Sequence, residues 1–375
     1  MTMRTHINNR SQIALVTLSS FVILVSSFAV TAPPYRIEGG DEKLPWYQIK
    51  PGEFPPPDAA HRETATLTWS NPYLRTGEYR PDSRVTDHLI RMTPFTVLPC
   101  ATILFLDAPA DLRDIPPGTH VHLQLFLNAD KNDFTQVIAL ADDFSTSVAI
   151  GESYRVEELK LDQRRIILSR QSATAATNAK SARVEFIVDA RTRLWKSRGF
   201  AEEKDLAIGQ TVLVNLAVGT ANLPVFPRCT DLWLDQESRT LATDRQRVSN
   251  LVELKKRGLP AYIETVDNHN PMVTLTLFAS GYPELFKDLH VGKKAKLAVA
   301  DESTRTIEPA GGQGGPDAIE SEIIEIKSVP ASSGSSGFQI TLKPQILLEG
   351  FRPRRIVRLA PPGFDVLPAE EHLEF

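Results

Sequence analysis

The sequence predicts an all-β chain of three small OB-like or related β-barrel modules in tandem, joined by one longer linking helix. Three observations carry that expectation. Apolar and polar residues alternate through ARVEFIVD (182–189), MVTLTLF (272–278) and FQITL (338–342), the period of half-buried strands. One grammar recurs three times: Asp114-Ile-Pro-Pro-Gly118-Thr-His-Val121-His-Leu123-Gln-Leu125, then Asp205-Leu-Ala-Ile-Gly209 leading into Val212, Val214 and Leu216, then Asp288-Leu-His-Val-Gly292 leading into Ala295, Leu297 and Val299. Each copy is an Asp, an apolar residue, a turn closed by a Gly suited to positive φ, and a strand with one buried face. Between the periodic stretches, QSATAATNAKSA (171–182), EPAGGQGGPDA (308–318) and PASSGSSG (330–337) are too small and polar to supply a core, so they read as loops.

From the N-terminus, residues 1–32 place Arg4 and Arg10 ahead of a mainly apolar run from Ile13 to Ala32, the pattern of an export signal. If uncleaved, the run is long enough for an N-terminal anchor, the one membrane contact expected. Residues 33–60 are rich in Pro and Gly and read as an extended arm, pinned to a domain surface by Trp46 and Tyr47. The first module then covers 61–171 and the second 172–234. The helix takes 235–258 and the third module 259–375. In the helix Leu241, Val248, Leu251, Val252 and Lys255 fall near one face. Asp235 and Glu237 open it, Lys255, Lys256 and Arg257 complement its C-terminal dipole, and Gly258 ends it.

With 46 acidic against 42 basic residues and a net charge of −4, the chain does not suit a general polyanion, which argues against nucleic acid as partner. Two cysteines, Cys100 and Cys229, leave two readings open in an oxidising compartment: one disulfide, or two buried thiols acting as small apolar residues.

His120 and His122, two apart on one strand face, could give two ligands to Zn²⁺ or Cu²⁺. A site needs at least one more ligand and outer-shell partners, and His61, His88 and Asp130 are the nearby candidates by sequence. The bland alternative is a solvated or hydrogen-bonded strand surface. It draws support from the repeat, where His120 aligns with Thr211 and Lys294, and His122 with Leu213 and Lys296.

Near the C-terminus Arg352, Arg354, Arg355 and Arg358 alternate with apolar residues and could grip a carboxylate or phosphate, or pair with neighbouring acids. Trp195, Trp233, Tyr282 and Phe286 read as barrel caps ahead of stacking platforms. Catalytic grammar is missing: there is no G-x-S-x-G, G-x-x-x-x-G-K-[ST], H-E-x-x-H, C-x-x-C or strand-following G-x-G-x-x-G, and no cofactor is expected. The adjacent acids Asp142-Asp143, Glu157-Glu158 and Glu202-Glu203 would diverge on a strand instead of sharing a substrate.

VEFIVDARTRLWKSRGFAEEKDLAIGQTVLVNL (184–216) resembles the strand, VDxxT, linker, DLxxGxxVxV pattern of small OB-like domains in bacterial exported proteins of unknown function. With LRDIPPGTHVHLQLF, RCTDLWLDQESR (228–239), VTLTLFASGYPELFKD (273–288) and LLEGFRPRRIVRL (347–359), the wider chain is similar to exported proteins of planctomycete-type bacteria. That resemblance implies a fold and a compartment, and it carries over no catalytic residue. The resulting expectation is an exported, envelope-associated or periplasmic protein that binds or scaffolds an envelope protein or polysaccharide without catalysis. The alternatives are an envelope hydrolase with a site outside known motifs and an OB-like oligonucleotide binder.

Overall fold

The computed structural model describes residues 54–55, 59–72, 74–82, 92–127, 135–172, 183–217, 227–279, 282–299, 318–331 and 334–364. The export segment, Trp46, Tyr47, His88 and Asp130 lie outside them.

The first barrel contains β1 (His61–Asn71), β2 (Thr76–Pro81), β3 (Thr93–Phe105), β4 (Ala108–Pro109), β5 (His120–Leu127) and β6 (Thr135–Asp142), followed by helix α1 (Asp143–Ala149). The second contains β7 (Glu152–Lys160), β8 (Arg165–Ser172), β9 (Arg183–Ile187), β10 (Arg193–Lys196), β11 (Gly199–Phe200), β12 (Thr211–Ala217) and β13 (Arg228–Trp233), followed by helix α2 (Gln236–Arg257). The third contains β14 (Leu259–Asp267), β15 (Met272–Phe278), β16 (Lys294–Val299), β17 (Ile319–Ser328), β18 (Ser335–Pro344) and β19 (Ile356–Ala360). The chain is therefore all-β in three tandem barrels, as its alternation predicts.

The first barrel closes as β1-β2-β3-β6-β5-β1 and the second as β7-β8-β9-β13-β12-β7, with β3–β6 and β9–β13 the parallel pairs. Counting the five closing strands in chain order, both circuits run 1-2-3-5-4-1, the order of an OB barrel. The third closes as β14-β15-β18-β17-β16-β19 and is antiparallel throughout, so it is a different small barrel. β7 and β8 hydrogen-bond within the second barrel, which corrects the expected boundary at 171/172. The joint is α1, whose N-cap Asp142 accepts from the Ser145 amide.

The thrice-repeated grammar builds one local structure. Gly118 donates to Leu67 O at 2.6 Å, Gly209 to Val156 O at 2.7 Å and Gly292 to Ile323 O at 2.7 Å. The same Leu67, Val156 and Ile323 amides donate back to the residue after each glycine. All three partners sit where their strand's register slips by a bulge. The glycines have φ of 92°, 86° and 81°, and a Cβ there would meet nothing closer than 3.7 Å, so backbone conformation and not space requires them. The strands that follow bury alternate residues in three separate cores: Val121, Leu123 and Leu125; Val212, Val214 and Leu216; Ala295, Leu297 and Val299.

Helix α2 reaches all three barrels, contacting β4, β10, β13 and β19. Asp235 caps it by accepting from the Ser238 amide, and Gly258 follows it with φ 80°. Its inward residues are Ser238, Gln246 and Asn250, with Leu251 and Leu254 against the third core, while Val248 and Val252 are exposed. The expected apolar face is thus only partly the buried one. Gln246 hydrogen-bonds Pro109 O, and ion pairs join Arg113 to Glu253 and Arg257 to Asp111, so polar groups do much of the docking. Between the first and third barrels, Leu98, Cys100, Phe126 and Ile138 meet Tyr262, Phe278 and Ile356. Phe54 of the arm closes that seam edge-on to Tyr262 and Phe278, at 5.3 and 5.7 Å between ring centroids.

Candidate functional site

Two arrangements at the junction of the first two barrels bring chemistry-bearing side chains together. One surrounds the His120-x-His122 pair. Because Val121 points into the first core, both histidines point out of it, yet they are buried, since α1 and β12 cover that face. His120 Nδ1 lies 2.7 Å from Asp143 Oδ1 and its Nε2 2.7 Å from Asp82 Oδ2. His122 Nε2 lies 3.0 Å from the same Asp143 oxygen. Burial works to strip the His120 proton, but carboxylates facing both ring nitrogens overcome it and push its pKa up to about 10. Burial likewise acts to raise the carboxyl of Asp143, and the His120 charge and hydrogen bonds hold it well below the usual range.

The second barrel completes this cluster. Leu216 N–H donates to Asp143 Oδ2 at 3.1 Å, and Asn215 donates to Asp142 Oδ2 at 2.7 Å while accepting from Phe144 N–H at 2.8 Å. Asp142 and Asp143 are divided between roles, the first capping α1 and the second facing the histidines. Three ligand atoms from His120, His122 and Asp143 lie within 4.8 Å of one another, the one such group among the described residues. Sequence spacing named the two histidines and missed the third member. His61, by contrast, is not in the group.

The second arrangement is a cleft of about 310 Å³ between the first barrel, the second barrel and α2. Phe105, Leu106, Trp233 and Ala242 give it apolar lining, and Arg193, Arg198 and Arg245 stand exposed at it. Arg193 forks onto Asp231 at 2.8 and 2.9 Å, and Trp195 donates its indole N–H to the same carboxylate at 2.8 Å. Arg198 meets Glu237 at 3.2 Å. Arg245 has no ion-pair partner among the described residues. Trp195 is not an open platform: Phe200 stacks on it at 4.4 Å and the Arg193 guanidinium lies 5.9 Å from its centroid. Tyr282 is buried in the third core and Phe286 packs against it, while Trp233 is buried against Phe144 and Leu213 beside the cleft.

The C-terminal arginines do not form a site. Arg352 is exposed and pairs with Glu349 at 2.9 Å. Arg354 takes a left-handed φ of 70° in the turn before β19. Arg355 N–H closes that turn onto Arg352 O, and Arg358 is buried, donating to Gly258 O at 3.0 Å. They are parts of a turn and a strand. The alternative of a disulfide is also overturned. Cys100 and Cys229 are free thiols, one at the seam of the first and third barrels and the other inside the second core.

Searches against family models, curated proteins and solved structures found no match.

Proposed function

We propose that this chain is an exported envelope protein that binds or scaffolds a protein partner without catalysis, and that the cleft between the first two barrels and α2 is its recognition site. The observation that carries this reading is the pairing of an apolar lining with an exposed arginine, Arg245, that has no ionic partner among the described residues. Clefts of this size accept one or two side chains, with apolar contact supplying affinity and a few polar groups supplying orientation. The fitting ligand is a segment with a large apolar side chain beside a carboxylate, the latter taken by Arg245 and Arg198. A polysaccharide would want a bare aromatic face, and the Trp195 ring is already stacked by Phe200 with the Arg193 guanidinium over it. The export pattern of residues 1–32 and the resemblance to exported planctomycete-type proteins supply the compartment.

The test is selection of displayed peptides on residues 33–375, with Ala242→Trp, which fills the cleft, and Arg245→Glu as comparison proteins. Enrichment of apolar residues flanked by Asp or Glu, lost in both variants, is the expected result. Peptides retained equally by wild type and variants, or capture of acidic envelope polysaccharide instead, would overturn it. The oligonucleotide alternative would need a continuous basic groove with exposed aromatic side chains along an OB barrel.

A further inference from the structure

We propose that His120, His122 and Asp143 bind one divalent transition-metal ion, zinc foremost, at the seam of the first and second barrels. The site is separate from the cleft and does not depend on the function assigned to it. His120 Nδ1 and His122 Nε2 converge on a single carboxylate oxygen, at 2.7 and 3.0 Å. An ion there takes the place of the protons these nitrogens share with Asp143, and those protons leave to solvent.

The surroundings are those a metal site needs. His120 presents its other nitrogen to Asp82 at 2.7 Å, the carboxylate–imidazole arrangement that fixes tautomer and ring orientation in metal ligands. Asp143 has its second oxygen held by Leu216 N–H, so the first is turned to the histidines. Two imidazoles and a carboxylate suit Zn²⁺, Cu²⁺ or Ni²⁺ far better than Ca²⁺ or Mg²⁺, which prefer oxygen. Three protein ligands leave one tetrahedral position for solvent. His122 also lines a cavity of about 20 Å³ with Ser145 and Thr146, on which neither His120 nor Asp143 opens. Thr146 is 1 % exposed, and its hydroxyl has no hydrogen-bond partner among the described residues.

Position also gives the ion a structural role. β5 supplies two ligands and α1 the third, while Asn215 and Leu216 fasten α1 to β12. Metal binding therefore ties the first barrel to the second.

The experiment uses tag-free residues 33–375 stripped with chelator and titrated calorimetrically with Zn²⁺, then with Co²⁺ followed by visible absorption. The expected result is a single saturable equivalent and the d–d spectrum of tetrahedral Co²⁺. His122→Gln should abolish both, and Asp82→Asn should weaken binding by about 10- to 100-fold. Absence of stoichiometric binding, or affinity unchanged in both variants, would overturn the proposal. If the variants do not fold by circular dichroism, histidine ring-nitrogen NMR of the wild type decides. Zn²⁺ must shift the His120 and His122 resonances, and their indifference would overturn the site.

Discussion

Asn215 of the second barrel donates to Asp142 at 2.7 Å and accepts from Phe144 at 2.8 Å, so one amide side chain satisfies both the end of β6 and the start of α1. Asn215→Ala leaves a buried carboxylate and a buried N–H without that partner. A loss of roughly 2–3 kcal/mol is expected in urea unfolding. Asn215→Asp should cost more, because it sets a second carboxylate beside Asp142. An alanine variant within 0.5 kcal/mol of wild type, about the size of ordinary surface effects, would refute the linking role.

The three turn glycines offer a comparison within one chain. Gly118→Ala, Gly209→Ala and Gly292→Ala each force a side chain into a left-handed backbone, at about 1–2 kcal/mol apiece. No Cβ clash distinguishes them, so their costs should be alike. Thermal unfolding of the three variants checks this. A cost confined to one glycine would break the equivalence of the repeat.

Asp107 gives the chain a pH dependence. Burial and then the nearby Asp142 raise its pKa to about 6 from an ordinary 3.8. The folded state then holds this proton more tightly than the unfolded one. Its stabilising effect is full below about pH 4 and is lost as pH rises to about 6. Asp107 has a φ of 59°, which Asn tolerates well, so Asp107→Asn removes the charge and keeps the turn. The variant should gain on the order of 1 kcal/mol at pH 7, allowing for partial exposure, and nothing at pH 3.5. Urea midpoints at the two pH values test the sign.

Both thiols should be inert in the native protein. Burial pushes the Cys100 thiol up to about 12 and raises that of Cys229 as well. A thiol reagent should find neither under native conditions and both in guanidinium without reductant. A mass lowered by two hydrogens in the unreduced protein would show a disulfide instead.

The barrels were legible in the sequence because their cause is local. A Gly at positive φ followed by Val121, Leu123 and Leu125 at period two dictates a turn and a one-faced strand wherever it occurs. The first boundary was not legible, since Ser172 looks like a module end and is instead the last residue of β8, which pairs with β7 and β9 in the second barrel. The better signal was Asp142-Asp143-Phe144-Ser145, a helix N-cap followed by a buried aromatic. Two of the three members of the histidine cluster could be read from spacing. Asp143 could not, because only the docking of one barrel on another brings it to His120. The helix misled for a related reason: its buried Gln246 reaches Pro109 O, 137 positions away, a partner no local pattern shows, while Val248 and Val252 stay in water.

The ion pair between Arg257 and Asp111 joins residues 146 positions apart. Asp111 is deeply enclosed, with Arg75 and Arg113 as its other cationic neighbours. A ribosome adding about 5–20 residues per second makes the aspartate roughly 7–30 s before its distant arginine. During that interval the first barrel presents the bare seat of α2, a window in which a holding chaperone has something to cover.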